Sequence, residues 1–593
     1  MRRHNFTHER RTGIAACAFG MLACALVSCD TLPQVAATPG CDGVDTGITL
    51  APGFCATVFA DKLGHVRHLT VAPDGVVYAN SWSGRYFHND TVPEGGFLLA
   101  LRDTRGNGHA DRIERFGTVP GQSSKGGTGI AYFDNAVYAE VDDRIVRYRR
   151  AADEIAPSAP AEVIVAGLPL TGDHPMHPFT IGPDGMLYVD SGSATNACQT
   201  QDRMMQSAGL QPCNELATRA GIWRYDARVR NQEFSADERY ATGLRNGEGF
   251  AFDAQGNLFA TQHGRDDLWQ NWPRLYTAEQ GADLPAEEIV LVRPGSDFGW
   301  PECYFDQNQH QLVLAPEYGG DGGHAVGNCP LKQGPIAAFP AHWAPNDMII
   351  ANSDRFPAAY RGGAFVAFHG SWNRAPLPQG GYNVVFQPIS GEHANGAYVV
   401  FADGFAGAHM DPNRAAFRPT GLAMGPDGAL YISDDMHGRI WRIVYKGDPA
   451  SARVAAAIKP SWTVASNNPE QPPEGIHYDA GRATPDLPVP AGATHEQIVL
   501  GNRIFHGEVD GGTCSGCHGT DAIGSMQGPS LTTGTWMWGD GSVNAIANTI
   551  RSGVSHPKNF PGTMPPMGGA QLSQDDVNAV AAYVWAVGHA RPD

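Results

Sequence analysis

The chain has 593 residues, with 42 lysines and arginines against 61 aspartates and glutamates, for a net charge of −19. That length exceeds a single ordinary domain, and so acidic a balance excludes a nucleic-acid-binding body or a polybasic membrane contact. Glycine (72) and proline (43) are plentiful, which predicts a chain rich in turns.

Residues 1–28 read as an export signal. Arg2, Arg3, Arg10 and Arg11 give a basic start, and an apolar stretch runs from Ile14 to Val27. The stretch ends Leu26-Val27-Ser28-Cys29, which resembles a bacterial lipobox. That resemblance implies cleavage before Cys29 and a lipid on its sulfur. Removing four arginines and one glutamate with the signal leaves 38 basic against 60 acidic residues, a net charge of −22. The expectation is a periplasmic body, touching the membrane only through a lipid on Cys29, with residues 29–49 as the tether. No later run of 18 apolar residues occurs, so no transmembrane helix is expected.

Residues 50–445 carry a repeating signal: an apolar approach, a Pro-Asp-Gly-type turn, then a short apolar strand. It stands at Pro73-Asp74-Gly75, Pro183-Asp184-Gly185 and Pro426-Asp427-Gly428. Weaker copies stand at Phe133-Asp134-Asn135, Asp253-Ala254-Gln255-Gly256 and Arg361-Gly362-Gly363. Turns of this kind between strands predict hairpins. Hairpins repeated with variable insertions predict a β-propeller, and six copies predict six blades. Residues 446–490 hold eight prolines and read as an extended linker.

Residues 491–593 hold the most specific motif, Cys514-Ser515-Gly516-Cys517-His518. Cys-x-x-Cys-His is the attachment pattern of c-type haem: two thiols add to the vinyl groups and the histidine ligates iron. Zinc and thiol redox sites also use Cys-x-x-Cys, but the context favours haem. A helical pattern precedes the motif (Glu496 to Phe505). A Met564-Pro565-Pro566-Met567 stretch follows it, and after Ser573 comes a helical pattern with Val577, Val580, Ala581 and Val584 on one face. Met564 is the expected sixth iron ligand, with Met567 as the alternative. Gly528-Pro529-Ser530-Leu531 resembles the cytochrome element whose proline carbonyl orients the ligand histidine. The predicted fold is therefore mainly β: a six-bladed β-propeller followed by a small all-α cytochrome c domain.

The 11 cysteines sort by this reading. Cys17 and Cys24 fall in the signal, Cys29 takes lipid, and Cys514 and Cys517 take haem. Cys41, Cys55, Cys198, Cys213, Cys303 and Cys329 remain, an even set that predicts three disulfides in an oxidising compartment. Nearest-neighbour pairing is the simplest of 15 connectivities.

Four segments around the propeller turns carry chemistry. They are Gly172-Asp173-His174, Gly243-Leu244-Arg245-Asn246-Gly247-Glu248-Gly249, Gln262-His263-Gly264-Arg265-Asp266-Asp267 and Asp297-Phe298-Gly299-Trp300-Pro301. In this order and spacing they resemble the soluble glucose and aldose dehydrogenases that use pyrroloquinoline quinone (PQQ), in the sorbosone or pyranose dehydrogenase branch. The resemblance implies that His174 is the base on the sugar hydroxyl and Asp173 its acidic neighbour. It implies that Arg245 and Asn246 hold the quinone, and that backbone carbonyls of Gly264 and Arg265 hold Ca2+. Arg418 and Arg67 are the arginines expected at the PQQ carboxylates. The family's late-strand lysine is absent; Phe368-His369-Gly370-Ser371-Trp372-Asn373-Arg374 stands there, leaving Arg374 or His369 as its substitute. His177 reads as structural, Asp266 and Asp267 as loop-orienting, and Trp372 as either core or a stacking platform.

Chemistry agrees with these roles. Arginine forks suit the three carboxylates of PQQ, and calcium takes oxygen ligands. A histidine near neutral pKa can accept a hydroxyl proton. The implied activity is oxidation of an aldose or pyranose to a lactone by hydride transfer to PQQ. Electrons would then pass to haem c and on to a quinone or cytochrome acceptor. Two other readings remain: a calcium-dependent propeller lactonase, which needs a carboxylate cage for the metal, and a sugar-binding propeller without PQQ affinity. The identity of the sugar lies in insertions 194–220 and 303–345, which show no readable pattern.

Overall fold

The computed structural model describes residues 40–82, 93–117, 126–374, 377–410, 412, 414–450, 487–507, 509, 514–519, 522, 524, 528–560 and 562–590. The expected signal 1–28, the expected lipid site Cys29 and most of the proline-rich stretch 446–490 lie outside the described residues. Among the described residues no helix is long and apolar enough to cross a membrane.

Among the described residues, strands from Thr49 to Tyr445 form six sheets of four or five strands, antiparallel except where Gln232–Glu233 joins Glu162–Ala166 in parallel, together with two short hairpins. Each sheet opens with one strand that faces the centre: Val66–Val71, Gly126–Phe133, Phe179–Ile181, Phe250–Phe252, Pro345–Ile350 and Pro419–Met424. These six lie against one another in order around a ring, the last touching the first. The result is a six-bladed propeller. All six sequence repeats fall at the same place, the turn between the first and second strand of a blade. The local chemistry explains why. The aspartate side chain accepts the backbone N–H two residues on, as Asp184 does from Met186 at 3.0 Å and Asp427 from Ala429 at 3.1 Å. The glycine then takes positive φ, 86° at Gly75 and 80° at Gly428, where a side chain would be strained.

The ring is closed by a strand from the other end of the propeller. Phe54–Ala60 pairs antiparallel with Ile440–Tyr445 and becomes the outermost strand of the sixth blade. Phe54 anchors it: its ring lies 4.8 Å from Phe356, 4.9 Å from Phe401 and 4.9 Å from Tyr445, centroid to centroid. The expected disulfides are all present, Cys41–Cys55, Cys198–Cys213 and Cys303–Cys329.

The C-terminal domain is helical. His495–Phe505 is capped by Thr494 and Gln497, whose side chains exchange bonds with each other's backbone. Gln574–His589 is capped in the same way by Ser573 and Asp576. The two helices cross so closely that a Cβ on Gly501 would stand 2.1 Å from the Ala579 carbonyl oxygen. With Val543–Ser552 they enclose an apolar core that includes Ile498, Phe505, Ile550, Val580 and Val584.

Candidate active site

Strand alternation sets where function can sit. In an up-and-down blade, the loop joining the second strand to the third emerges on the face where the first strand begins. Residues at the start of the innermost strands therefore meet residues of these loops at one end of the axis. From the strand entries come Arg67, His174, Arg245, Asn246, Glu248, Asn346 and Arg418; from the loops come Arg203, His263, Asp266, His369 and Trp372. They line a cavity of about 140 Å³ on the axis.

His174 is partly buried there. Its Nδ1 lies 2.9 Å from the Ser193 carbonyl. A carbonyl only accepts, so Nδ1 carries the proton and Nε2 holds the lone pair. Burial first, and then the Arg245 charge, hold its pKa well below the usual histidine value, so the ring is neutral across neutral pH. Asp173 lines the same cavity, and its carboxylate receives Arg203 Nη2 at 2.9 Å.

Arg245 is held on four sides. Nε donates to the Asn196 carbonyl (3.1 Å), Nη1 to the Gly264 carbonyl (2.8 Å), and Nη2 to Asn196 Oδ1 and Asp266 Oδ2 (each 3.1 Å). Arg67 pairs with Asp435 at 2.8 Å and Glu248 at 3.2 Å. Arg418 gives Nε and Nη2 to the carbonyls of His369 and Gly370 and lies over the Tyr382 ring. Three fixed guanidinium groups thus face one small cavity. Beside them, Asn246 Oδ1 is buried without a hydrogen-bond partner, and such a group awaits a ligand or water.

Other expected residues are placed differently. Arg374 is spent on the carbonyls of Pro378 (3.2 Å) and Ala341 (2.7 Å) and does not line the cavity. His369 does line it, and its Nε2 lies 2.8 Å from Asp435. Of the two substitutes for the missing lysine, the fold brings only His369 to the wall. Gly264 lines the cavity, but its carbonyl is taken by Arg245. The Arg265 side chain turns away to Glu317 and reaches no part of the axial wall. A cation on the Gly264 carbonyl would therefore share that oxygen with the Arg245 guanidinium. His177 is fully buried, with its ring nitrogens 2.9 Å from the Asp190 carbonyl and 2.8 Å from the Pro169 carbonyl. Trp372 stands on the cavity wall.

Sequence reading missed Arg203 and Asp435. Arg203 binds Asp173, Asp266 and Asp267 at 2.9, 3.1 and 2.8 Å, yet it lies in an insertion with no periodicity. Asp435 directly follows the strand Leu430–Asp434; its place after a blade's second strand was the available signal.

A second cavity, about 150 Å³, opens in the helical domain. It is lined by Cys514, Cys517, His518 and Met564, with apolar Phe505, Ile550, Val580 and Val584 behind. Neither cysteine is assigned to a disulfide. His518 Nδ1 lies 2.9 Å from the Pro529 carbonyl, which fixes the proton on Nδ1 and leaves Nε2 for a metal. Met564 is positioned by mutual backbone bonds with Val554, 2.7 and 3.0 Å. Met567 packs against the core without lining the cavity. The donor set suits c-type haem: two thiols, an oriented imidazole and a thioether around an apolar slot.

Residues 48–446 match the family model described as TrAA12-like. The chain belongs to the TrAA12-like family. Residues 502–584 match a second model, described as "Cytochrome C oxidase, cbb3-type, subunit III". A family AA12 structure from Trichoderma reesei superimposes with a TM-score of 0.53 at 18% identity, over 70% of this chain and 100% of that one. The PQQ domain of Coprinopsis cinerea pyranose dehydrogenase gives a TM-score of 0.50 at 20% identity, over 67% and 97%. By sequence, the PQQ-dependent pyranose dehydrogenase of Coprinopsis cinerea is 29% identical over 238 residues, 35% of this chain and 31% of that protein. The cbb3-type oxidase subunit CcoP of Rubrivivax gelatinosus is 36% identical over 92 residues, 16% and 26%. The chain thus spans about a third or less of each of these two curated relatives, and it joins a pyranose-dehydrogenase-like propeller of the TrAA12-like family to a cytochrome c domain.

Proposed function

We propose that this protein oxidises a pyranose or related aldose at its anomeric carbon and exports the electrons through its own cytochrome domain to a quinone or cytochrome acceptor. The observation that carries the reading is the axial cavity, where a neutral His174 stands among Arg67, Arg245 and Arg418. Bound there, PQQ would supply the hydride acceptor, and haem c in the second cavity the one-electron carrier.

The chain's residues divide the work. Arg67, Arg245 and Arg418 hold carboxylates, the anion that a planar fork grips best. Asn246 offers its unpaired oxygen to the same ligand. His174 Nε2 receives the proton of the sugar hydroxyl, and the Ser193 carbonyl keeps its Nδ1–H in place as charge builds on the ring. Asp173, tied to Arg203, fixes the wall beside it. His518 and Met564 would hold the haem iron, and Cys514 and Cys517 would attach the haem. A lipid on Cys29 would keep the body at a periplasmic membrane face, where its electron acceptor is concentrated.

The test is a titration of haem-loaded protein with PQQ, followed by a panel of aldoses with the visible spectrum recorded. The ferrous α-band should grow only when PQQ and a substrate sugar are both present, and His174→Ala should abolish that growth without abolishing PQQ binding. Failure to bind PQQ would remove the reading.

A further inference from the structure

Two parts of the propeller reach the cytochrome domain, and both also build the axial cavity. The first is the insertion carrying Arg203. Met205 packs against the cytochrome core beside Met564 and Met567, and its N–H donates to the Gly569 carbonyl at 3.1 Å. A Cβ on Gly569 would stand 2.5 Å from the Arg203 carbonyl oxygen. The second is Trp372. It lines the axial cavity, and its Cζ3 lies 2.6 Å from where a Cβ on Gly516 would stand. Gly516 sits between Cys514 and Cys517, which line the other cavity. One indole therefore spans the wall between the two cavities, and a side chain at residue 516 would drive it away.

We propose that Trp372, held against Gly516 by the Arg203–Met205 seat, is the contact through which electrons cross from the axial cavity to the haem. This rests on the reading that the two cavities take PQQ and haem c. Electron tunnelling falls steeply with distance and with gaps in packing. A packed aromatic ring that lines the axial cavity and lies against Gly516, between the two attachment cysteines, supplies such a filled route. The electrons balance as follows. Each sugar gives up two electrons, which cross singly to ferric haem. Two protons leave to solvent, and an external one-electron oxidant, such as ferricyanide, reoxidises the haem after each crossing. Arg203 adds an electrostatic role: its side chain pairs with Asp173, Asp266 and Asp267 while its carbonyl lies against Gly569 of the cytochrome domain. The charged groups of the axial wall thus stand beside the cytochrome domain.

Four variants of the full PQQ- and haem-loaded protein test the bridge and its seat. Stopped-flow haem reduction by sugar is divided by the rate of direct reduction of excess dichlorophenolindophenol. Trp372→Ala should lower that ratio by about tenfold, the effect of ~1.4 kcal/mol on a barrier, and Trp372→Phe should restore most of it. Met205→Lys, which puts a charge into the seat, should lower the ratio in the same direction. An unchanged ratio in Trp372→Ala would overturn the bridge. The second readout needs no turnover. Arg203→Gln leaves three aspartates unbalanced near the haem, so the midpoint potential of sugar-free protein should fall; an unmoved potential overturns the docked arrangement. If the unaltered protein reduces neither dye nor haem with PQQ and any sugar, the proposed function fails, while the potential still decides the docking.

Discussion

Replacing Arg245 with methionine tests how the axial site is built. The guanidinium is 4% exposed and bonds Asn196 twice, Gly264 once and Asp266 once. Methionine fills much of the volume but donates nothing. The carbonyls of Asn196 and Gly264 lose donors, and Asp266 keeps Arg203 and Asn373 as partners. Removing one partner of a buried ion pair costs about 3–5 kcal/mol; the remaining donors to Asp266 place the expected loss near the lower end. Denaturant unfolding of PQQ-free protein measures it. Two further effects should accompany it. Affinity for PQQ should drop by roughly 10- to 100-fold, the equivalent of ~1.4–2.8 kcal/mol for one charge-assisted contact. The His174 pKa should rise toward its usual value, because the Arg245 charge is the second cause of its depression after burial, and NMR titration of the ring would show it. A stability loss below ~1 kcal/mol with unaltered PQQ affinity would refute the view of Arg245 as the buried hub of the site.

The closing strand and the buried histidines give two more tests. Phe54→Ala should cost about 3–5 kcal/mol, the usual range for emptying a buried aromatic site, with Phe54→Leu recovering much of it; a loss under ~1 kcal/mol in chemical unfolding would mean the ring closes without this anchor. His68 is buried, and desolvation together with Arg67 pushes its pKa down to about 3, against the pull of the Asn346 carbonyl at 2.8 Å. Below pH 6.5 the unfolded chain binds a proton at His68 that the folded chain refuses, so the stability linked to it is complete above 6.5. It is lost as pH falls, by about 1.4 kcal/mol per unit. His68→Gln removes that dependence, so its stability relative to the parent should improve between pH 6.5 and 4.5; unfolding curves that shift in parallel over that range would contradict it.

Much of this protein was legible in its sequence because its determinants are local. Each Asp-Gly turn needs only an acceptor two residues before an N–H and a backbone free to take positive φ. Three such turns and three weaker copies of them therefore marked six blades. The haem motif is equally local, since attachment needs two thiols and a histidine within five residues. Close pairs such as Cys41–Cys55 and Cys198–Cys213 span only 14 and 15 residues, so short loops favoured their pairing.

The remainder was decided by tertiary structure, because it depends on which chain ends meet. Nothing in Phe54–Ala60 says that it pairs with Ile440–Tyr445; only closure of the ring brings those segments together. Arg374 and His369 stand five residues apart in one loop, and the path of that loop alone sends the first to carbonyls of its own blade and the second to the axis. Arg203 acquires meaning only when an unpatterned insertion folds over three aspartates drawn from two other stretches of chain. The contact of Trp372 with Gly516 joins residues 144 positions apart across two domains. Periodicity records what a residue does to its own turn or strand, whereas burial, charge pairing and the route between two cavities are properties of surfaces that exist only after the chain has closed on itself.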